Sequence, residues 1–442
     1  METPIVDFVR DYAAQNAVRL HMPGHKGRAL LGPEPYDITE IPGADVLYAP
    51  EGIIRRSEEN AARLFGSLRT VYSAEGSSLC IRAMLALVKS HAAEQGKAAR
   101  ILAGRNAHKV FVLAAGLLGL ELSWLYGEEN DGVLRCRVTA EEVDRALCKE
   151  DCAAVYLTSP DYLGNTADLT AISAVCRRHG ALLLVDNAHG AYLRFLSPSR
   201  HPLDLGADLC CDSAHKTLPA LTGAAYLHFA ASVPSLAARA EAAMQLFAST
   251  SPSYLILQSL DACNALLAGD YPARIRETAA RVDALKARLP FPHRGDEPLK
   301  LCLCPKARGW TGDALAARLA QQGIVCEFAD PDNLVFMFSP GNSEDDFRAL
   351  EEALASVQAR EPIRSAPPVP GLPEIVCAPR EALFAPQEEL PTARCLGRVL
   401  AAPTVSCPPA VPIVCCGERI TERALALLRY YGIERCLVMK EH

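Results

Sequence analysis

One lysine stands out by its position at the end of an apolar run. Lys216 follows the strand-like residues 209–211 and precedes the apolar residues 218–221. Lysine usually lies on solvated surfaces, so a lysine with apolar neighbours is expected to have a desolvated amine. Desolvation makes an amine a competent nucleophile toward carbonyl compounds. Lys216 is therefore predicted to bind a carbonyl group covalently.

A carboxylate at the end of an earlier strand complements this lysine. Asp186 ends the apolar run 181–185. Ligands of open α/β sheets bind at the carboxyl ends of the strands. A carboxylate there can keep the pyridine nitrogen of pyridoxal 5′-phosphate (PLP) protonated, which makes the ring an electron sink. Asp186 and Lys216 together predict a PLP site.

Two further segments fit such a site. Gly76, Ser77 and Ser78 precede an apolar helix, and glycine with hydroxyls at a helix N-terminus suits a dianionic phosphate. Serine is also a common helix cap, which is the alternative interpretation.

His108 follows the strand-like residues 101–103 and could lie over the cofactor ring. The alternative for His108 is an ordinary polar loop residue.

The segment from about residue 50 to 245 alternates helical and strand-like patterns, which is typical of an α/β domain with a mostly parallel sheet. The predicted helices there are residues 57–65, 78–94 and 170–179. The predicted strands are residues 100–103, 153–158, 181–185, 209–211 and 223–228. Their nearly continuous apolar content indicates strands covered on both faces. A further apolar helix is predicted over residues 254–267.

The pattern changes beyond Pro290. Strands are predicted at residues 299–304, 324–328 and 333–338, and helices at 311–322 and 343–358. These elements indicate a small α+β domain. A proline-rich linker, residues 362–373, leads to a short module with a helix over 421–431. We divide the chain into an N-terminal arm (1–50), a large PLP-binding domain (51–285), a small domain (286–361) and a linker with C-terminal module (362–442).

Composition narrows the classes of partner. The net charge is −7 with no clustered Lys/Arg tract, which argues against nucleic acid or an anionic membrane and favours a small-molecule substrate. The first 20 residues lack a signal-peptide core, and the apolar stretch 110–120 is too short to span a bilayer, so we expect a buried helix. The 17 cysteines are scattered without zinc spacing. They indicate free thiols in a reducing cytoplasm and no metal.

These motifs together resemble the ornithine/lysine/arginine decarboxylase family of fold type I PLP enzymes, in its shorter form without the receiver-like N-terminal wing domain. The resemblance covers nearly the whole chain. Its most specific motifs are His21-Met22-Pro23-Gly24-His25-Lys26-Gly27 and Thr250-Ser251-Pro252-Ser253-Tyr254. The other matching segments are residues 49–52, 106–109, 158–160, 186–190, 213–216 and 417–421.

The resemblance implies roles for individual residues. Lys216 would carry PLP, Asp186 would pair with the pyridine nitrogen, His108 would stack on the ring and His189 would lie near its 3′-oxygen. The phosphate would be bound by a set of glycine, hydroxyl and imidazole groups: Gly76, Ser77, Ser78, Ser213 and His215, with Thr250 or Ser251 from the partner subunit of a homodimer. The implied reaction is α-decarboxylation of arginine, lysine or ornithine to the corresponding amine.

Four departures from the family pattern concern the substrate pocket more than the cofactor. They are Glu75 in place of asparagine, Asn187 in place of glutamate, Asp161 in place of threonine, and Cys407-Pro408-Pro409-Ala410-Val411-Pro412 in place of Tyr-Pro-Pro-Gly-Ile-Pro. The pocket for a distal cation is not located by these motifs. Two other functions stay open: another fold type I reaction, such as transamination or α-oxoamine synthesis, and a PLP-binding protein with a regulatory role or a lost activity.

Overall fold

The computed structural model describes residues 1–127, 132–403, 405 and 409–441. Its α-helices, numbered in chain order, are α1 Pro4–Ala14, α2 Ile53–Phe65, α3 Gly76–Glu94, α4 Lys109–Leu118, α5 Ala140–Leu147, α6 Leu169–His179, α7 Ala214–Thr217, α8 Pro234–Ala237, α9 Ala240–Gln245, α10 Tyr254–Leu267, α11 Tyr271–Arg288, α12 Gly312–Ala320, α13 Glu344–Ala355, α14 Pro379–Phe384 and α15 Glu422–Tyr430.

The β-strands are likewise numbered in chain order. They are β1 Arg69–Ser73, β2 Arg100–Gly104, β3 Glu121–Leu125, β4 Ala154–Thr158, β5 Leu182–Asp186, β6 Leu209–Asp212, β7 Ala225–Phe229, β8 His293–Arg294, β9 Lys300–Leu303, β10 Phe328–Ala329, β11 Leu334–Met337, β12 Glu374–Ile375, β13 Gln387–Pro391, β14 Leu400–Ala402, β15 Glu418–Arg419 and β16 Arg435–Met439.

The chain forms two compact units. The first contains Met1–Gly96 and Cys176–Ile275, and the second contains Lys97–Val175 and Arg276–His442. These limits follow spatial contacts, whereas the four-part division drawn from the sequence follows changes of pattern along the chain. That four-part division stays a prediction.

The first unit contains a sheet of β1, β7, β6 and β5, in that order. β7 is antiparallel to both β1 and β6, while β5 and β6 are parallel. It follows that β1, β5 and β6 all run in the same direction and end at the same edge of the sheet. All residues of β5 and β6 are buried, as expected for strands covered on both faces.

The second unit contains β4, β2 and β3 in parallel pairs. Parallel pairing thus predominates among the large-sheet strands, which confirms the predicted α/β class. The same unit holds a four-stranded antiparallel sheet in the order β10-β11-β9-β8, packed with α12 and α13 around Leu301, Leu334 and Phe347. A C-terminal sheet of β13, β16 and β14 shares a separate apolar cluster with α15.

Most predicted elements are confirmed within one to four residues at their ends, and α10 is confirmed with its predicted limits. The strand predicted over residues 324–328 is wrong. Only Phe328 and Ala329 pair with β11, because Gly323 turns the chain at the end of α12 with a φ of +78°. The side chain of Val325 is 86% exposed, so it does not form part of a buried strand face. Within the described residues, no helix has the length and apolar character needed to cross a membrane.

Candidate active site

Three strand ends place polar side chains at one edge of the first unit. β1 ends at Ser73, β5 at Asp186 and β6 at Asp212. The three strands run in the same direction, so the segments that follow them leave the sheet on the same side. The predicted cofactor residues of this unit belong to these segments, apart from Thr250 and Ser251.

The segment after β1 enters α3 without a side-chain cap. Gly76 is the first residue of the helix and has a φ of +72°, a backbone conformation that favours glycine. Ser77 and Ser78 lie in the first turn and do not cap the helix, which excludes the capping interpretation. The hydroxyl of Ser213, which follows β6, donates to Ser77 Oγ at 2.8 Å. The hydroxyls of two segments therefore meet at a helix N-terminus, where an anion is stabilised.

Asp186 is a buried carboxylate at the end of β5, with 3% of its surface exposed. Its Oδ1 accepts hydrogen bonds from the N–H of Ala188 at 3.2 Å and from Cys211 Sγ at 3.7 Å. The first bond turns the backbone away from the strand, and the second comes from the neighbouring β6. The carboxylate is thus held by the two strands whose ends form the site.

Lys216 lies on the short helix α7, directly after β6. Its Nζ is 3.0 Å from Nε2 of His189, which is buried. The expectation that the Lys216 side chain is desolvated is wrong for a single chain, because the residue is exposed. In one helical turn, Ala214 and Thr217 take the buried positions, which leaves Lys216 on the open side. The apolar neighbours in the sequence therefore pack elsewhere and do not cover the amine.

His215 is fixed by Ala224, the residue that precedes β7. Its Nδ1 donates to the carbonyl oxygen of Ala224 at 2.8 Å. Burial lowers the pKa of the His215 imidazole below its usual value, and the charge of Lys216 adds to this effect. Neutral His215 then presents Nε2 as an acceptor only. Binding of a phosphate at Nε2 therefore requires a second proton on the ring, which a dianion would favour.

Glu75 is tied to the segment that precedes α10. Its Oε1 accepts a hydrogen bond from the N–H of Ser249 at 2.8 Å, and its side chain is exposed. The carboxylate thus has a backbone partner of its own. This departure from the family pattern joins the start of α3 to residues 249–253, a contact that the sequence did not indicate.

Thr250 and Ser251 are both exposed in the single chain. Neither of them caps the next helix. α10 begins at Tyr254, its N-cap is Ser253, and no side chain caps it. Tyr254 is instead anchored through its hydroxyl, which donates to the carbonyl oxygens of Ala44 and Asp45. The hydroxyls of Thr250 and Ser251 therefore have no capping role in this helix.

A buried network behind the site was not found by sequence reasoning. Asn187 Nδ2 donates to Asp212 Oδ1 at 2.7 Å, and both residues are fully buried. Asp212 Oδ2 also lies 3.0 Å from His201 Nε2 and 3.3 Å from His228 Nε2. Burial alone would raise the pKa of Asp212, but the charge and hydrogen bonds of the two histidines hold it well below its usual range. The only signal in the sequence was that Asn187 departs from the family pattern.

One predicted site residue, His108, belongs to the second unit, and so does Asp161, one of the departures from the family pattern. His108 is the N-cap of α4, and its Nδ1 accepts a hydrogen bond from the N–H of Val110 at 3.1 Å. His108 therefore has a structural role as a helix cap, and its place over the cofactor ring stays a prediction. Asp161 accepts hydrogen bonds from the N–H groups of Leu163 and Asn165, each at 2.9 Å, so this departure from the family pattern stabilises a turn.

The donor and acceptor groups of the first unit fit PLP. Asp186 offers a buried carboxylate for a protonated ring nitrogen, and Lys216 offers an amine for the aldehyde. Ser77 and Ser213 offer hydroxyls beside the first-turn N–H groups of α3, which suit a phosphate. A carboxylate, an amine and a phosphate-binding helix end are thus gathered at one sheet edge.

Comparison with known proteins identifies the family. The family model described as Orn/Lys/Arg decarboxylase, major domain, matches residues 3–289. The chain belongs to the Orn/Lys/Arg decarboxylase family. This decarboxylase is accordingly a PLP-dependent enzyme that acts on an amino acid. Of the three functions that the sequence left open, decarboxylation is the one supported.

Relatives extend the likeness beyond the matched domain. The decarboxylase is 29% identical to an arginine decarboxylase of Bacillus subtilis, over 97% of this chain and 93% of the relative. It is also 29% identical to an arginine decarboxylase of Halalkalibacterium halodurans, over 97% and 93%.

Solved structures share the fold. The constitutive lysine decarboxylase of E. coli aligns with a TM-score of 0.78 at 18% identity, covering 99% of this chain and 82% of that chain. A lysine decarboxylase of Francisella novicida aligns with a TM-score of 0.81 at 17% identity, covering 99% and 81%. Both support the fold type I architecture of the decarboxylase.

Proposed function

We propose that the decarboxylase removes the α-carboxyl group of a basic amino acid, with arginine the first candidate before lysine and ornithine. The observation that carries the proposal is the joint placement of Asp186, Lys216 with His189, and Ser77 with Ser213 at one sheet edge. Arginine is preferred because the two relatives described above are arginine decarboxylases that align over nearly the whole chain. The product of that substrate is a cationic amine of the kind used in polyamine biosynthesis.

The predicted site residues have different proposed tasks. Bound PLP supplies an electron sink for the electron pair left at the α-carbon. Asp186 holds a proton at the ring nitrogen, and Lys216 binds the aldehyde carbon. His189 orients the Lys216 amine and accepts a proton from Nζ across 3.0 Å. The phosphate is bound by Gly76, Ser77, Ser78, Ser213 and His215, and His108 stacks on the ring.

We also propose that the active site is completed by a second copy of this chain. Thr250 and Ser251 are exposed and have no capping role, and Lys216 is exposed in the single chain. Apolar side chains flanking the motif at residues 21–27 are also exposed, namely Val18, Leu20, Leu30 and Leu31. A homodimer would cover these groups and bring hydroxyls to the neighbouring phosphate.

The free thiols of the described cysteines support a cytoplasmic location.

The test is carbon dioxide release from a panel of single amino acids. We expect release from arginine above lysine and ornithine, and none from acidic or aromatic amino acids. Borohydride treatment of the PLP-loaded protein should fix the cofactor to the peptide that contains Lys216, and Lys216→Ala should abolish both the label and turnover. Labelling of another lysine would refute the assignment of Lys216. Exchange of the α-proton without carbon dioxide release would instead favour transamination.

A further inference from the structure

The loop that leads to His108 is bound by the C-terminal module. Arg105 follows β2, and its guanidinium points at this module. Nη1 donates to the carbonyl oxygen of Pro412 at 2.9 Å, and Nη2 donates to that of Ile413 at 3.1 Å. Nη2 also forms an ion pair with Oε2 of Glu418 at 3.0 Å.

A second contact lies on the other side of His108. The N–H of Lys109, the first residue of α4, donates to the carbonyl oxygen of Ala410 at 2.7 Å. Asn106 and Ala107, between the two contacts, are buried. His108 therefore lies in a short segment that the C-terminal module holds at both ends.

Glu418 is itself held rigidly. Its Oε2 accepts a hydrogen bond from the N–H of Cys415 at 2.7 Å, and its side chain is 3% exposed. The preceding Gly417 has a φ of +84°, and a Cβ there would lie 2.2 Å from the carbonyl oxygen of Cys377, so only glycine fits. The carboxylate of Glu418 thus reaches Arg105 from a fixed backbone position.

A buried ion pair adds little net stability, because the cost of desolvating both charges offsets their attraction. Its use is to select one arrangement of the groups around it. We propose that Glu418 is a positioning residue that acts through Arg105 to orient His108, so that the C-terminal module serves the active site. This inference rests on the proposed stacking role of His108.

The test is a double-mutant cycle with Glu418→Gln and His108→Ala. Glu418→Gln alone should lower kcat/KM about tenfold, and in the His108→Ala background it should change kcat/KM less than about twofold, because residues that act as a unit are not additive. A second readout needs no cofactor. In the PLP-free protein, Glu418→Gln should speed amide hydrogen exchange at Lys109 about tenfold, since its hydrogen bond to Ala410 depends on the same contact surface.

The matched control is Glu374→Gln, which removes the same charge from an exposed pair with Arg419, the residue after Glu418. Glu374 Oε1 lies 2.8 Å from Arg419 Nε. This control should leave kcat/KM and the exchange of Lys109 unchanged. If Glu418→Gln does not fold, Glu418→Asp keeps the charge and shortens the reach by one methylene, and the same cycle applies to it.

Two results would overturn the inference. An equal loss with and without His108 would show that Glu418 acts independently of that residue. Full activity of His108→Ala alongside a loss in Glu418→Gln would also overturn it and would refute the stacking role. Failure of the proposed function as a whole is recognised separately, because the unsubstituted protein would then release no carbon dioxide from any amino acid of the panel.

Discussion

Asp186 carries the largest single electrostatic task proposed for the site. Its carboxylate is buried and is held between β5 and β6. In Asp186→Asn, the amide cannot keep the ring nitrogen protonated, so we expect kcat/KM to fall by about 10²-fold or more, or about 3 kcal/mol of transition-state stabilisation. PLP should still bind, as checked by its visible absorbance. Near-normal turnover would show that the ring nitrogen has another partner.

Asn187 and Asp212 join the segments that carry Asp186 and Lys216. Asn187→Asp would place two carboxylates in a fully buried contact that now measures 2.7 Å, so we expect the free energy of unfolding to fall by about 3 kcal/mol and PLP to bind more weakly. When Asp212→Asn is added, the new amide at position 212 can donate a hydrogen bond to the new carboxylate at position 187. The contact then again has one donor and one acceptor. The measurement is urea unfolding of all four proteins.

Coupling between these two substitutions should reach at least about 1 kcal/mol, since the residues touch directly. The rescue is expected to be partial, because His201 and His228 lose the carboxylate that they share. Strict additivity of the two effects would contradict the role of this pair in joining the strand ends.

At the scale of elements, Ala410 connects the C-terminal module to α4 in a conformation suited to glycine. Its φ is +56°, and the family motif has glycine at this position. An alanine in the left-handed region lowers the stability of the folded state by about 1–2 kcal/mol. Glycine avoids this strain, but its greater conformational entropy in the unfolded state offsets part of the gain. Ala410→Gly should therefore raise the free energy of unfolding by about 1 kcal/mol, measured by urea denaturation.

The control for Ala410 is an alanine in ordinary helical backbone. Ala426 lies exposed in the middle of α15, so Ala426→Gly should lower the free energy of unfolding by about 1 kcal/mol. Opposite signs at the two positions are expected. The same sign at both would mean that the backbone at Ala410 is not strained.

At the scale of the whole molecule, shared active sites predict complementation between two inactive variants. Lys216→Ala is mixed with a chain carrying both Thr250→Ala and Ser251→Ala, and the subunits are allowed to exchange. A mixed dimer then has one site with both defects and one with neither, so activity should return to at most about half per mixed dimer. The hydroxyls of Thr250 and Ser251 do not cap α10, so their removal is not expected to unfold that helix. Unfolding of α10 therefore does not explain the inactivity of the double variant. No return of activity would refute the sharing and leave Lys216 assigned.

The sequence by itself determined the elements and the positions of the main chemical groups. The roles of Asp186 and Lys216 could be predicted because each residue follows an apolar, strand-like run. That signal is local in the sequence. Most helices and strands were likewise predicted from local apolar patterns. The family motifs added the reaction, since they lie at fixed positions along the chain.

Only the tertiary structure decided which distant groups meet and which are covered. The pairs Asn187 with Asp212, Glu75 with Ser249 and Arg105 with Glu418 join residues far apart in the chain. Local patterns cannot specify such pairs, because each depends on how strands and modules pack. The exposure of Lys216 has the same origin. Apolar neighbours in a sequence bury a side chain only if they fold over it, and here one turn of α7 directs them into the core and leaves the lysine outside.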